Sequence, residues 1–339
     1  MGTDDGDLVA AAGEDRISGL PDHLLHSILL GHPDLRTFDA ARTSVLSRRW
    51  RHVWAHLPFL SFSHGGEEAD SSTLDRIDAA LNAYSDSEPT ASRLEISMTN
   101  WRCQVPVSRV ASWLRFASRR LAGELRLSLC CGNLKYGEVA VAGEELVIPL
   151  CERATEISFE KLCCALRFRL PPADAGAFAA LITLDIKNAA LDGEELDGVL
   201  ASRCPRLKKL VLEWITVLGG GDASVLSIRS GSLEDLKVST NERLGRLQVA
   251  APELRTLFLS IRHGDAHIAA APKLEEVYCY NNYGFEPGRH RLVEAGRHLR
   301  RLVIMLNAAV LMRQFNTVDE LVLGVYIPKV RHRRYYKQS

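Results

Sequence analysis

An excess of charge of either sign is missing from this chain: 42 Lys and Arg residues stand against 42 Asp and Glu, a formal net charge of zero. That balance removes any general electrostatic pull toward nucleic acid or an anionic membrane, so either partner would need a local patch. Long apolar runs are missing too. No stretch of about 18 apolar residues occurs, and no span of a bilayer is expected. The opening Met1-Gly2-Thr3-Asp4-Asp5-Gly6 is acidic without an apolar core, and Gly6 stands where myristoylation wants Ser or Thr. Neither a secretory signal nor a lipid anchor is therefore expected. The eight cysteines, Cys103, Cys130, Cys131, Cys151, Cys163, Cys164, Cys204 and Cys279, contain no Cys-x-x-Cys pair. Their spacing fits neither a zinc site nor a disulfide framework and reads as buried free thiols in a reducing compartment, cytoplasmic or nuclear.

Signatures of catalysis are lacking as well. Gly219-Gly220-Gly221-Asp222 is not followed by Gly-Lys-Ser/Thr, and neither Gly-x-Gly-x-x-Gly nor Gly-x-Ser-x-Gly occurs. His23, His26 and His32 have no carboxylate or cysteine at ligand spacing. No catalytic residue, metal or cofactor is assigned on these grounds. The basic residues Arg42, Arg48, Arg49, Arg51 and His52 around Trp50 and Trp54 could serve a nucleic-acid helix, but in a neutral chain they read as a solvated polar face.

What is present begins at residues 15–62, whose pattern predicts three short helices. Pro21 suits a first helical position, and Leu24, Leu25, Ile28 and Leu29 follow at helical spacing. After Gly31-His32-Pro33, the residues Phe38, Ala41 and Val45 mark a second helix, with Thr37 as its cap. A third, capped by Ser47, carries Trp50, Val53, Trp54 and Leu57 on one face. A unit of about 40 residues buries too little surface to be comfortable without a metal, a disulfide or a partner. The segment has neither cysteine nor ligand cluster, so a partner protein is the physical expectation, received by the spare aliphatic side chains of the first helix.

Asp15-Arg16-Ile17-Ser18, Leu20-Pro21, Leu24-Leu25, Ile28-Leu29, the run Arg42-Thr43-Ser44-Val45-Leu46-Ser47-Arg48-Arg49-Trp50-Arg51 and Val53-Trp54 together resemble a plant F-box motif. The resemblance implies docking on the Skp1-type adaptor, and through it on the cullin–RING core, of an SCF-type ubiquitin ligase. By position it assigns that contact to Leu20, Pro21, Leu24, Leu25, Ile28, Val45 and Trp50. Between Pro33 and Ala40 the chain is a few residues longer than the family pattern.

Further along, a short pattern, apolar-x-x-apolar-x-apolar, recurs from Leu181, Leu207, Leu233, Leu254, Leu274, Leu299 and Val318. The offsets of 26, 26, 21, 20, 25 and 19 residues are those of leucine-rich repeats. A weaker copy lies at Ala154, Ile157 and Phe159, and Leu125–Leu129 is read as the opening strand. No single repeat can bury its apolar face, so the units must stack into a parallel ladder. The irregular period is similar to that of plant repeats that follow an F-box. The expected fold is thus α/β: a disordered acidic lead (1–14), a small three-helix F-box (15–62), a linker (63–72), a helix and curved leucine-rich-repeat solenoid with a parallel β-sheet (73–328), and a basic tail (329–339). Ser72, with Asp75 three residues on, is the expected cap of the helix carrying Leu74, Ile77, Leu81 and Tyr84.

Strand residues between the inward leucines face the other way. That row reads Asp185, Val211, Lys237, Phe258, Tyr278, Val303 and Val322. Phe258, Tyr278, Tyr280, Arg301 and Val303 are the expected contacts of an unknown target protein, since apolar area framed by charge marks a binding surface. The resemblance implies a non-catalytic receptor that brings a substrate to the ligase. The alternative is a leucine-rich-repeat scaffold that delivers nothing.

Overall fold

The computed structural model of the chain describes residue 17 and residues 19–31, 36–46, 49–64, 71–85, 90–98, 105–129, 145–160, 167–219, 224–262, 265–279, 290–292, 299–305 and 319–324. The acidic lead, His32 and Pro33, Ser47, most of the linker, Tyr280, the basic tail and the cysteines 103, 130, 131, 163 and 164 lie outside these residues.

Three short helices come first. α1 (Asp22–Leu30) starts after Pro21, which stands at the N-cap with φ −57° and ψ 151° and not inside the helix. α2 (Thr37–Arg42) takes Arg36 as its N-cap, so Thr37 does not cap it. Thr37 is buried, and its hydroxyl accepts a hydrogen bond from the Ser61 N–H at 2.8 Å. A side chain expected to start a helix thus ties that helix to a strand. α3 (Trp50–Val53) runs on into a 3-10 turn, Trp54–His56.

The solenoid opens with β1 (Phe59–His64), α4 (Ser71–Ser85), β2 (Ala91–Met98), α5 (Val107–Arg120) and β3 (Leu121–Leu129). α4 begins one residue before Ser72, which is therefore a first-turn residue and not the cap. Its stripe of Leu74, Ile77, Leu81 and Tyr84 is buried as the spacing predicts. Then come β4 (Glu145–Val147), β5 (Glu156–Glu160), β6 (Arg167–Arg169), β7 (Thr183–Lys187), β8 (Ala190–Leu191), α6 (Gly193–Arg203) and β9 (Lys209–Val217). Among the described residues of the last third the elements are all strands: β10 (Val225–Arg229), β11 (Asp235–Arg243), β12 (Arg246–Ala250), β13 (Thr256–Arg262), β14 (Asp265–Ala269), β15 (Glu276–Cys279), β16 (His290–Leu292), β17 (Arg301–Met305) and β18 (Glu320–Gly324).

The main sheet is parallel in the order β1-β2-β3-β5-β7-β9-β11-β13-β15-β17-β18, so strands lie side by side in chain order, as stacked repeats require. It opens at Phe59, two strands before Leu125–Leu129. The end of the predicted F-box segment is therefore the first rung of the ladder. Leu184, Leu210, Leu236, Leu257, Val277 and Leu302 stand in register on the inward face, all buried.

On the return side the structure adds what the periodicity did not reveal. The repeat from Leu181 to Leu207 returns through α6, but the shorter repeats from Leu233 and Leu254 return through β12 and β14, which join β10 and β16 in a second parallel sheet. A repeat of 20 or 21 residues leaves little chain for a helix, but length alone does not decide the return, since the 26-residue repeat from Leu207 also comes back through a strand, β10. Gly193 lets α6 close on the edge of this sheet, since a Cβ there would meet the Val225 carbonyl oxygen at 2.2 Å. Where β9 leaves the main ladder to pair with β8, Trp214 adopts φ 53°, a left-handed conformation that a bulky residue rarely takes. Cys151, Cys204 and Cys279 are free and buried, and burial pushes each thiol up to about 12. Among the described residues no helix is long and apolar enough to cross a membrane.

Candidate functional site

Two surfaces hold the residues singled out from the sequence. The first is the helical head. α1 is amphipathic, and its inner side, Leu25 and Leu29, packs with Ala40, Trp50, Val53, Trp54 and Leu57. Hydrogen bonding fixes the helices to one another: Arg49 Nε donates to Asp22 Oδ1 at 2.8 Å, and His26 Nε2 lies 3.0 Å from the Val53 carbonyl oxygen. Of the seven residues assigned to an adaptor, Leu24 (40% exposed), Ile28 (52%) and Val45 (87%) point outward. Pro21 is exposed and Leu20 half-buried. Leu25 (0%) and Trp50 (2%) lie inside the head's own core, so their part in any docking is to hold the helices that present the others. Ile17, Leu30 and Leu46 are exposed aliphatics as well; the resemblance, which assigned the seven by position, does not place them in the contact.

The second surface is the outward face of the main sheet. Its register brings Asp185, Val211, Lys237, Phe258, Tyr278, Val303 and Val322 into one row. Phe258 and Tyr278 stack with centroids 6.4 Å apart, and the Tyr278 hydroxyl donates to Glu276 Oε2 at 2.8 Å. Val303 continues the row but is buried, while Arg301 sits one pleat away with its Nε 3.4 Å from Glu320 Oε2. Tyr280 lies outside the described residues.

Beside the aromatic pair is a charge cluster that reading the central row alone missed. Lys187 Nζ lies 2.5 Å from Glu160 Oε1, 3.3 Å from Asp185 Oδ2 and 3.8 Å from Glu213 Oε2. Glu213 also pairs with Lys237, whose ammonium stands 4.7 Å from the centre of the Phe258 ring. Asp185 Oδ1 is buried with no hydrogen-bond donor among the described residues. Burial raises the Asp185 carboxyl above its ordinary range; Lys187 opposes this, and the charges of Glu160 and Glu213 add to it. The signal was present two residues beyond each central position, where Glu160, Lys187 and Glu213 share a row. Among the described residues no three His, Cys, Asp or Glu side chains are grouped to hold a metal ion. The arrangement suits recognition of side chains: a stacked aromatic pair, an aliphatic neighbour and a cation–carboxylate cluster on one rigid sheet.

The family described as "FBD-associated F-box protein At5g56370, LRR repeats" matches residues 110–321, from within α5 to within β18. The chain belongs to this plant family. "F-box protein At5g03100" of Arabidopsis thaliana is 26% identical over 250 residues, covering 74% of this chain and 71% of that protein. "Putative F-box/LRR-repeat protein At3g18150", from the same plant, is 30% identical over 249 residues, covering 72% of this chain and 47% of that protein. "F-box/FBD/LRR-repeat protein At2g04230", also from Arabidopsis thaliana, is 29% identical over 303 residues, 87% of this chain and 64% of that protein. Among these relatives the matched part thus runs from 47% to 71% of their length. No solved structure matches the chain.

Proposed function

We propose that this F-box/LRR family member is a substrate-recognition subunit of an SCF-type cullin–RING ubiquitin ligase, acting in the cytoplasm or nucleus without chemistry of its own. In this reading residues 15–62 are the F-box. Leu20, Pro21, Leu24, Ile28 and Val45 meet the Skp1-type adaptor, and Leu25 and Trp50 brace them from within. The outward face of the sheet, with Phe258, Tyr278, Tyr280, Arg301 and Val303, receives a target protein. The mechanism is effective concentration: one surface fixes the receptor to the ligase, the other holds the target, and ubiquitin transfer becomes close to intramolecular.

The observation that carries this reading is the outward aliphatic group on α1 and Val45, which the head's own core does not use. Contiguous exposed apolar side chains on a helix are the signature of helix-in-groove recognition. The names of the three relatives, all F-box proteins, support it. The test that separates receptor from scaffold uses the full chain in plant cells. A protein that accumulates when the chain is removed should co-purify with the wild type, and Phe258→Ala with Tyr278→Ala should lose that protein while keeping the adaptor. A folded double variant with undiminished target turnover would remove the sheet face from the account. Accumulation of no protein at all would favour the scaffold.

A further inference from the structure

A groove of about 680 Å³ runs between α4 and α5, with Trp113 and Phe116 at its floor and Asn82, Arg115, Arg119 and Arg120 along its edges. Helix α5 contains four arginines and no carboxylate. On α4, Asp75, Asp78 and Asn82 follow one another at helical spacing along one side. Both aspartates are engaged by Arg109, at 2.6 Å each, and Asp78 also accepts from the Trp113 indole at 2.7 Å. One turn further along α4, where a third carboxylate would meet the C-terminal half of α5, the residue is Asn82. Arg115 and Arg119 make no ion pair among the described residues. Standing at i and i+4, they repel each other. Arg153 arrives from the next repeat and donates its Nη2 to the Arg119 carbonyl at 2.9 Å, bringing a further guanidinium to the same end.

Several exposed cations elsewhere in the solenoid are matched across the ladder, though Arg206, Lys209, Arg246 and Arg300 are exposed without an ion pair among the described residues. Arg93 and Arg126 meet Glu124 and Glu156, Lys208 meets Glu234, Arg255 meets Glu275 and Lys273 meets Glu253. The helix dipole favours cations in a last turn and so accounts for Arg119 and Arg120. It accounts equally for Arg153, which binds a last-turn carbonyl, but not for Arg115, a turn earlier.

We propose that this groove is a docking site for an acidic segment of a partner protein, whose carboxylates fork onto Arg115 and Arg119 while an apolar side chain lies against Phe116. The site is separate from both the head and the outward face of the sheet. A short acidic peptide fits better than nucleic acid because the guanidinium groups cluster at one end of a groove that Asp78 closes at the other. A phosphate backbone needs a continuous basic stripe.

The test titrates the full chain into a fluorescent Glu-rich peptide with a central Phe and follows anisotropy. Wild type should bind saturably, and more weakly as salt rises. Arg115→Glu with Arg119→Glu should weaken binding about a hundredfold, close to tenfold for each charge-assisted contact. Asn82→Asp supplies the missing carboxylate from within, should weaken binding several-fold, and keeps the test decisive if the double reversal unfolds the chain. Lys273→Glu, in a distant pair, should change nothing. Equal affinity for wild type and the arginine variant, or no binding by wild type, would overturn the proposal. So would tighter binding of a single-stranded RNA of matched charge that the same variant abolishes.

Discussion

In the helical head seven apolar side chains are buried together, from Leu25 to Leu57, and the buried indole N–H of Trp50 has no acceptor among the described residues. In the solenoid one core runs unbroken from Leu60 to Leu302, each repeat covering the apolar face of the next. The smaller unit is fastened to the larger at a few points. Ser61 donates to the Thr37 hydroxyl, and the buried Tyr84 hydroxyl donates to the Leu57 carbonyl at 3.0 Å. Phe38 packs edge-on against Phe62 at 5.2 Å and lies under the Arg76 guanidinium at 4.3 Å. β1 begins two residues after Leu57, the last of the head's core. The difference shows where each region's order comes from: the solenoid holds itself, whereas the head is held by the first strand of the solenoid and so can leave the aliphatic side of α1 uncovered.

Cutting the chain breaks this comparison most severely. Residues 1–62 expressed alone lose the strand that β1 pairs with and expose Leu60 and Phe62. They should show no cooperative melt by circular dichroism, whereas a stable monomer with a sharp transition would make the two regions equals. Next come cavities placed in each region. Phe159→Ala, at a fully buried ring 5.3 Å from Phe168, should cost about 3–5 kcal/mol and lower the main calorimetric transition. Leu25→Ala should cost about 2–5 kcal/mol within the head and leave that transition in place.

A smaller effect sharpens the comparison at the fastening itself. Tyr84→Phe removes the bond to the Leu57 carbonyl and should cost about 1 kcal/mol. Burial pushes the Tyr84 hydroxyl up from 10.0 to about 12, against the pull of the Arg120 charge. The folded chain therefore keeps a proton that the unfolded chain releases. Stability should be unaffected by this group below its unfolded value of 10.0, fall as pH rises from there to about 12, and lack that fall in Tyr84→Phe. The smallest change is expected at Asp185, whose ionised form burial disfavours in the folded chain. That penalty is present at neutral pH and fades as pH drops through the raised folded value. Asp185→Asn should add roughly 0.5 kcal/mol at neutral pH and less in acid, read as paired urea midpoints.

Much of this architecture was legible because the inward leucines repeat. Leu181, Leu207 and Leu233 carry the period, and alternation then puts Phe258 beside Tyr278, where the structure stacks them. The second sheet was not legible in the same way. Leu226 and Ile228, Leu247 and Val249, and Ala266 and Ile268 are only two inward positions each, too short to separate a strand from a loop. Thr37 has a composition cue for a cap, yet tertiary packing turns its hydroxyl toward Ser61. Helical spacing places Leu25 and Ile28 on similar terms, and only the packing of Trp50 and Leu57 decides which of them faces inward. The cluster around Lys187 depends on neighbouring strands from three repeats, which no local pattern joins.

The central claim is that the outward side chains of α1 form a docking surface distinct from the core that holds the head. Calorimetric titration of a purified Skp1-type adaptor into the full chain tests it most directly, with Leu24→Asp and Ile28→Asp combined as the comparison. Wild type should bind one to one, and the variant at least about a hundredfold more weakly, with an unchanged melting transition. Equal affinity of the two, with the variant folded, would contradict the account.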